Sequence, residues 1–236
     1  MSDVLRLACL DTEGPPLFHK SPDGVTRTGY EPAAAALVAD VLGRRLEWVM
    51  VPWEDMIPYV VRHQADAVWC GQSIIPSRQE HVDFTRPYGI FHEGVLVRPG
   101  SGITSPADLV GKRLAAITAS TNMALASTFQ GAIPIAFGGG GGDVYMQMLD
   151  ALLAGEVDGV VDDDVVFVPL GDDPRFELAF TVKTGNRWGV GVAKDRPELR
   201  DEIDAALATV IADGRLATVW AQWMPTLEFP FPTEDS

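Results

Sequence analysis

Two short stretches of this chain carry the side chains best suited to gripping a small charged molecule. The first is Ser73-Ile74-Ile75-Pro76-Ser77-Arg78. Arg78 offers a planar fork that takes a carboxylate through two parallel bonds, and Ser73 places a hydroxyl beside it. A surface arginine paired with Glu80 or Asp83 is an equal reading of the spacing alone. The second is Asp158-Gly159-Val160-Val161-Asp162-Asp163-Asp164, a predicted strand ending in three carboxylates. Adjacent like charges need a cation or solvent to offset them, and one of them facing a guest would take an ammonium. A metal is disfavoured, because the run lacks the alternating spacing of a calcium loop. Ala119-Ser120-Thr121 stands between a predicted strand and a predicted helix. Backbone amides there favour an anion and the hydroxyls add directional bonds. A helix N-cap explains the same residues.

Other motifs fall away on inspection. In Phe137-Gly138-Gly139-Gly140-Gly141-Gly142-Asp143 the sixth position from Gly138 is Asp143, so the dinucleotide fingerprint fails. A phosphate loop would need a Gly-Lys-Ser/Thr ending, so the run reads as a flexible loop and no cofactor is expected. His19, His63, His81 and His92 form no pair at helical zinc spacing. No Gly-x-Ser-x-Gly elbow is present, and no catalytic residue is assigned. Cys9 and Cys70 lie in apolar runs and read as buried reduced thiols, with a single disulfide between them as the alternative.

The elements that must position these residues alternate along 236 positions. Strands are predicted at 4–10, 46–51 and 65–70, with helices at 31–44 and 54–63 between them. The pattern repeats, with strands at 113–119, 133–137 and 157–162 and helices at 121–130 and 143–154. Extended runs at 93–98 and 188–194 join the two copies, and two helices close the chain. Such βαβαβ units imply parallel sheets flanked by helices. The expected architecture is α/β: two βαβ lobes joined by two hinge strands, with the ligand cleft between them at the carboxyl ends of the strands. Lobe 1 is expected to be discontinuous, 1–96 plus 190–236, and lobe 2 to span 97–189.

Composition narrows the partners. The chain has 18 Lys+Arg against 33 Asp+Glu, a net charge of −15, which argues against nucleic acid and anionic lipid. No apolar run approaches the roughly 20 residues that span a bilayer, so no membrane insertion is expected. The N-terminus has no basic, apolar leader. The expectation is a cytoplasmic protein if Met1 is the native start, and a periplasmic or cell-surface one if an export signal was trimmed.

Several segments, in order and spacing, resemble the family 3 solute-binding proteins, polar amino-acid receptors of ABC importers with the periplasmic-binding-protein type 2 fold. They are Pro15-Pro16-Leu17-Phe18 with Asp23-Gly24 and Gly29-Tyr30, Pro52-Trp53-Glu54-Asp55-Met56-Ile57-Pro58, Asp66-Ala67-Val68, Ser73 through Tyr88, Asp108-Leu109-Val110-Gly111-Lys112-Arg113, Gly155 through Val161, and Ala212-Asp213-Gly214. The resemblance implies that Arg78 and Ser73 hold a ligand α-carboxylate, together with Ser120 and Thr121. It implies that Asp163 takes the α-ammonium, that Trp53 walls the pocket, and that Asp11 meets the ligand side chain. The chain departs from the pattern at Ile75, where a threonine is usual, and at Gly14, where an aromatic stacks on the ligand. Phe18, Trp53 or Trp69 are the rings available to replace it.

The reading that follows is a monomeric receptor that encloses a zwitterionic, amino-acid-like ligand by hinge closure and hands it to an ABC permease. Asp11 and Glu13 suggest a cationic or polar ligand side chain. Two alternatives share the scaffold. One is a cyclohexadienyl-dehydratase-like enzyme: such enzymes place a glutamate shortly after the ammonium-binding aspartate, where Asp164, Val165, Val166 and Phe167 follow here, so the acid would have to come from Asp162 or Asp164 with its pKa raised by burial. The other is a cytoplasmic sensor or carrier.

Overall fold

The computed structural model describes residues 3–20, 26–138 and 143–232. Positions 139–142 of the glycine run, and Asp23 and Gly24, lie outside them. Strands run at Val4–Cys9 (β1), His19–Lys20 (β2), Arg27–Thr28 (β3), Arg45–Met50 (β4), Ala67–Val68 (β5), Val82–Phe84 (β6), Gly89–Val97 (β7), Arg113–Ile117 (β8), Ile133–Phe137 (β9), Gly159–Asp163 (β10), Glu177–Trp188 (β11) and Gly191–Ala193 (β12). The α-helices are Tyr30–Leu42 (α1), Met56–Val61 (α2), Pro76–Gln79 (α3), Thr121–Ala126 (α4), Val144–Ala154 (α5), Asp164–Phe167 (α6), Pro197–Ala212 (α7) and Arg215–Trp223 (α8).

The chain divides into two compact units. Unit 1 comprises 1–11, 17–90 and 186–236, and unit 2 comprises 12–16 and 91–185. The chain passes between them along β7 and β11, whose ends belong to different units. The boundaries expected at 96/97 and 189/190 lie within β7 and just beyond β11.

Each unit holds a five-stranded mixed sheet, ordered β4-β1-β5-β12-β6 in unit 1 and β11-β7-β10-β8-β9 in unit 2. The three strands read from the sequence are parallel in both, β4-β1-β5 and β9-β8-β10. The expectation of wholly parallel sheets is corrected at the joins. There β12 runs antiparallel to β5, and β7 antiparallel to β10. A strand that enters from the other unit arrives without a crossover helix and is free to pair antiparallel.

The two sheets repeat one tie at the amino ends of their strands. Arg6 in β1 donates its backbone N–H to Asp66 at 2.9 Å, and its guanidinium pairs with the same carboxylate at 3.3 Å. Arg113 in β8 donates to Asp158 at 2.8 Å through its backbone and at 3.0 Å through its guanidinium. Each aspartate stands just before the third parallel strand. The tie fixes the strand order of the repeat and leaves the opposite edge to the loops.

Local stops explain most boundary differences. α1 ends two residues early because Gly43 adopts φ 64°, and the Arg44 N–H returns to the Ala39 carbonyl. α4 stops at Ala126 rather than near Gln130. The hydroxyls of Ser127 and Thr128 turn onto the Met123 and Leu125 carbonyls at 2.8 and 2.7 Å, competing with the helical ladder. β11 escaped the sequence reading because most of its side chains are exposed and show no alternation.

The interior of unit 1 is aromatic. Tyr30, Trp69, Tyr88 and Trp188 are each fully buried, with ring centroids 5.1 to 6.3 Å apart along the contacts that join them. Trp69 is therefore core and not a ligand-facing ring. Gly89 is required beside Trp188, since any Cβ there would overlap the indole. Within this cage lies Glu31, fully buried, accepting the Tyr88 hydroxyl at 2.9 Å and the Gly71 N–H at 2.9 Å. Burial pushes its carboxyl up to about 8, against the Tyr88 and Gly71 hydrogen bonds that pull it down.

A carboxyl raised from 4.5 to about 8 on folding leaves the native state holding the extra proton. Its stabilising contribution is complete below the unfolded value and is lost as pH rises through the folded one. Urea unfolding followed by tryptophan fluorescence should therefore show stability falling between those two pH values. Glu31→Gln should remove up to about 5 kcal/mol of that fall.

Candidate functional site

In unit 1 the segment that leaves β5 turns at Gly71, where φ is 57°, and then runs extended through Ser73. Ser73 pairs with Trp188 in an isolated antiparallel bridge, which fixes the segment against the sheet. Pro76 opens α3, and the single turn of that helix folds Arg78 back. The Arg78 Nη1 donates to the Ser73 carbonyl at 3.1 Å, and its guanidinium carbon lies 5.3 Å from the centre of the Trp53 ring. Arg78 is only 8% exposed. Arg78, Ser73 and Trp53 thus come together at the carboxyl edge of β5, with the cation held over a ring face and by a carbonyl. Asp83 pairs instead with Lys194 at 3.2 Å.

Asp11 and Phe18 form a second group around a residue the sequence reading did not single out. Arg27, on β3, donates to Asp11 at 2.7 Å and to the Leu10 carbonyl at 3.2 Å. Its guanidinium lies 5.6 Å from the centre of the Phe18 ring, whose other contact is the edge of Trp48. The Arg27 side chain is buried, while Asp11 stays exposed. Phe18 is thus covered by Arg27, and the Asp11 carboxylate already holds a cation.

In unit 2 the strand β8 turns through Ala119, at φ 59°, into α4. Ser120 caps that helix: its Oγ accepts the Met123 N–H at 3.0 Å and donates to the Ile117 carbonyl at 2.7 Å. Its one proton is therefore committed to the turn. Thr121 follows, half-buried, as the first helical residue. Asn122 was missed by the sequence reading and is nine-tenths buried. Its Nδ2 donates to Asp162 at 3.1 Å and to Asp163 at 3.2 Å. Among the described residues no donor reaches its Oδ1.

The three aspartates are accommodated one by one. Asp162 also accepts the Asp163 N–H at 2.8 Å. Burial pushes its carboxyl up to about 7, and the charge of Glu93 adds to the rise. Glu93 faces Asp163 across the β7–β10 ladder and is 1% exposed. Asp164 accepts the His92 N–H at 3.0 Å, and burial raises its pKa as well. Asp163 ends β10, 9% exposed, at the carboxyl edge of the parallel strands. The repulsion expected among these acids is relieved by a retained proton, an amide and backbone N–H groups. Among the described residues no group of three ligating side chains is arranged to hold a metal ion.

The segment 12–16 joins unit 2 through Asp143, the N-cap of α5. Its carboxylate accepts Thr12 Oγ1 and the Glu13 N–H, both at 2.6 Å, together with the Met146 N–H at 3.2 Å. Gly14 sits buried in this segment, where a Cβ would meet the Thr12 methyl at 3.9 Å.

Comparison with known proteins gives a coherent result. A family model described as bacterial extracellular solute-binding proteins, family 3, matches residues 6–226. The chain is 25% identical over 211 residues to the ABC transporter glutamine-binding protein GlnH of Bacillus subtilis (strain 168), covering 87% of this chain and 76% of that protein. It is 27% identical over 180 residues to ABC transporter arginine-binding protein 1 of Escherichia coli (strain K12), covering 73% and 72%. Among solved structures, an ancestral arginine-binding protein bound to glutamine aligns with a TM-score of 0.86 at 26% identity, covering 95% of this chain and 99% of that one.

The Ser120 hydroxyl is predicted to act as a cap. Ser120→Ala should lower stability by about 1 kcal/mol, read by denaturant unfolding. Ser120→Asn, which restores a capping acceptor, should recover most of the loss.

Proposed function

Because the chain belongs to the bacterial extracellular solute-binding proteins of family 3, we propose that its guest is an α-amino acid with a neutral polar side chain, delivered to an ABC permease outside the cytoplasmic membrane. Arg78 takes the α-carboxylate, with Ser73 beside it and Thr121 contributing a hydroxyl. Asp163 takes the α-ammonium, oriented by Asn122. Trp53 walls the site and holds the Arg78 guanidinium flat.

The observation that carries this reading is the burial of Arg78. A guanidinium stays charged at any physiological pH, so its place at 8% exposure favours an anionic guest with a matching planar fork. Each charge-assisted bond contributes about 1.5–3 kcal/mol. A ligand that engages Arg78 in one unit and Asp163 in the other favours the state in which both contacts are made, which is the thermodynamic content of hinge closure.

The side-chain preference rests on Asp11. Its carboxylate is held by Arg27 at 2.7 Å, so a cationic ligand side chain would compete with a resident guanidinium. A neutral amide meets no such competition. Glutamine, named for one of the relatives and for the guest of one structural neighbour, is the first ligand to test, with arginine as the counter-test.

The family and the fold are those of binding proteins. One solved neighbour, an ancestral amino acid-binding protein described as a precursor of cyclohexadienyl dehydratase, aligns at 23% identity and shares the fold. The enzyme reading is weaker, since the Asp164 carboxylate is engaged with the His92 N–H and none of the four residues after Asp163 is a glutamate.

A thermal-shift screen over the amino acids, followed by calorimetry, tests the proposal. A ligand at 100 times its dissociation constant adds about 2.7 kcal/mol of stability. Arg78→Ala strands a buried carboxylate at a cost of about 3–5 kcal/mol, a loss of more than roughly 100-fold in affinity. Circular dichroism should show the fold retained. Asp163→Asn should weaken binding about 10-fold or more. Unchanged affinity in either variant would overturn the assignment of that residue.

A further inference from the structure

Cys9, the last residue of β1, and Cys70, just past β5, lie 61 positions apart in sequence with their sulfurs 3.4 Å from each other. Both are buried and free. The geometry around them is specific. The Cys9 thiol donates toward the Cys70 sulfur, and the Cys70 sulfur also accepts the Leu10 N–H at 3.4 Å. Neither sulfur belongs to the ligand groups described above.

We propose that Cys9 and Cys70 form an oxidation site: in the presence of a low-molecular-weight disulfide, such as oxidised glutathione, they close to an intrachain disulfide. A disulfide needs its sulfurs about 2.05 Å apart. The two side chains already face each other across adjacent, hydrogen-bonded strands, so a small side-chain rotation closes the gap. Cys70 reacts first. It is 6% exposed whereas Cys9 is fully buried, and burial holds the Cys9 thiol well above its ordinary pKa. The Cys70 thiol gives its proton to solvent, and its thiolate attacks one sulfur of the oxidant. The oxidant S–S bond breaks, a mixed disulfide forms, and one thiolate leaves. Cys9 then loses its proton and attacks the Cys70 sulfur, expelling the second thiolate. Two protein thiols are oxidised and one small disulfide is reduced to two thiols.

The bond would join the end of β1, which leads to Asp11, to the segment that carries Ser73. It would tether the carboxyl edge of the unit 1 sheet without crossing to the other unit.

The test uses the whole chain, purified under reductant and then incubated with oxidised glutathione at mildly alkaline pH. The product is unfolded in an alkylating reagent and its intact mass measured. The expected result is a monomer lighter by two hydrogen atoms, carrying no alkyl group, with a Cys9–Cys70 peptide on mapping. Its thermal midpoint should rise by about 5 °C or more over the reduced protein. The Cys9→Ala variant, treated identically, should give no internal bond and either a glutathione adduct on Cys70 or an unchanged thiol. Recovery of two alkylated cysteines, a stable glutathione adduct on the wild-type chain, or a cross-linked dimer would each overturn the proposal.

Discussion

A guanidinium almost removed from water governs the rest of this structure. Arg78 cannot shed its charge, so every group around it must make that charge tolerable. The Trp53 face and the Ser73 carbonyl do part of this. They can do so only because Ser73 is fixed in the sheet by its bridge to Trp188 and because Pro76 starts the turn that returns Arg78. Trp188 is in turn held in an aromatic cage built around Glu31, whose carboxyl anchors the Gly71 N–H two residues before Ser73. The place of the Arg78 guanidinium is thus tied, link by link, to the interior of unit 1.

The second unit solves the opposite problem. Asp162, Asp163 and Glu93 put three carboxyl groups out of water around one strand end. Asn122 donates to two of them, and burial raises the Asp162 carboxyl so that it holds its proton to higher pH than a free aspartate. One proton and one amide therefore lower the repulsion around Asp163. The unsatisfied Asn122 Oδ1 adds an acceptor to the same place, which suits a guest that brings N–H donors. The repeated Arg6–Asp66 and Arg113–Asp158 ties lie at the opposite ends of the strands, so the two units share an architecture in which one edge is stapled and the other is left to chemistry.

Much of this was legible in the sequence, for identifiable reasons. The parallel strands and their helices show strong apolar periodicity, and the Arg78 segment could be placed because it follows directly on a strand, whereas the choice of Asp163 among three aspartates came from the family resemblance alone. What failed to show has equally physical causes. β11 is mostly exposed and lacks alternation. The antiparallel joins depend on where the chain re-enters each sheet, which no local pattern records. Arg27 and Asn122 sit far in sequence from the acids they hold, 16 positions from Asp11 and 41 from Asp163. A lone arginine or asparagine carries no local mark of such a partner. A capping serine and a ligand-binding serine share one sequence signature, and only the Ser120 hydrogen bonds to Ile117 and Met123 separate them.

The proposed guest is held by both of its α-substituents, the carboxylate on Arg78 and the ammonium on Asp163. Calorimetry with the amino acid selected by the stability screen, alongside its α-carboxamide and its N-acetyl derivative, tests that claim most directly. Both derivatives keep the side chain and remove one charge each. The account predicts that each binds at least about 100-fold more weakly than the parent amino acid. Binding of either derivative with the parent's affinity would contradict it.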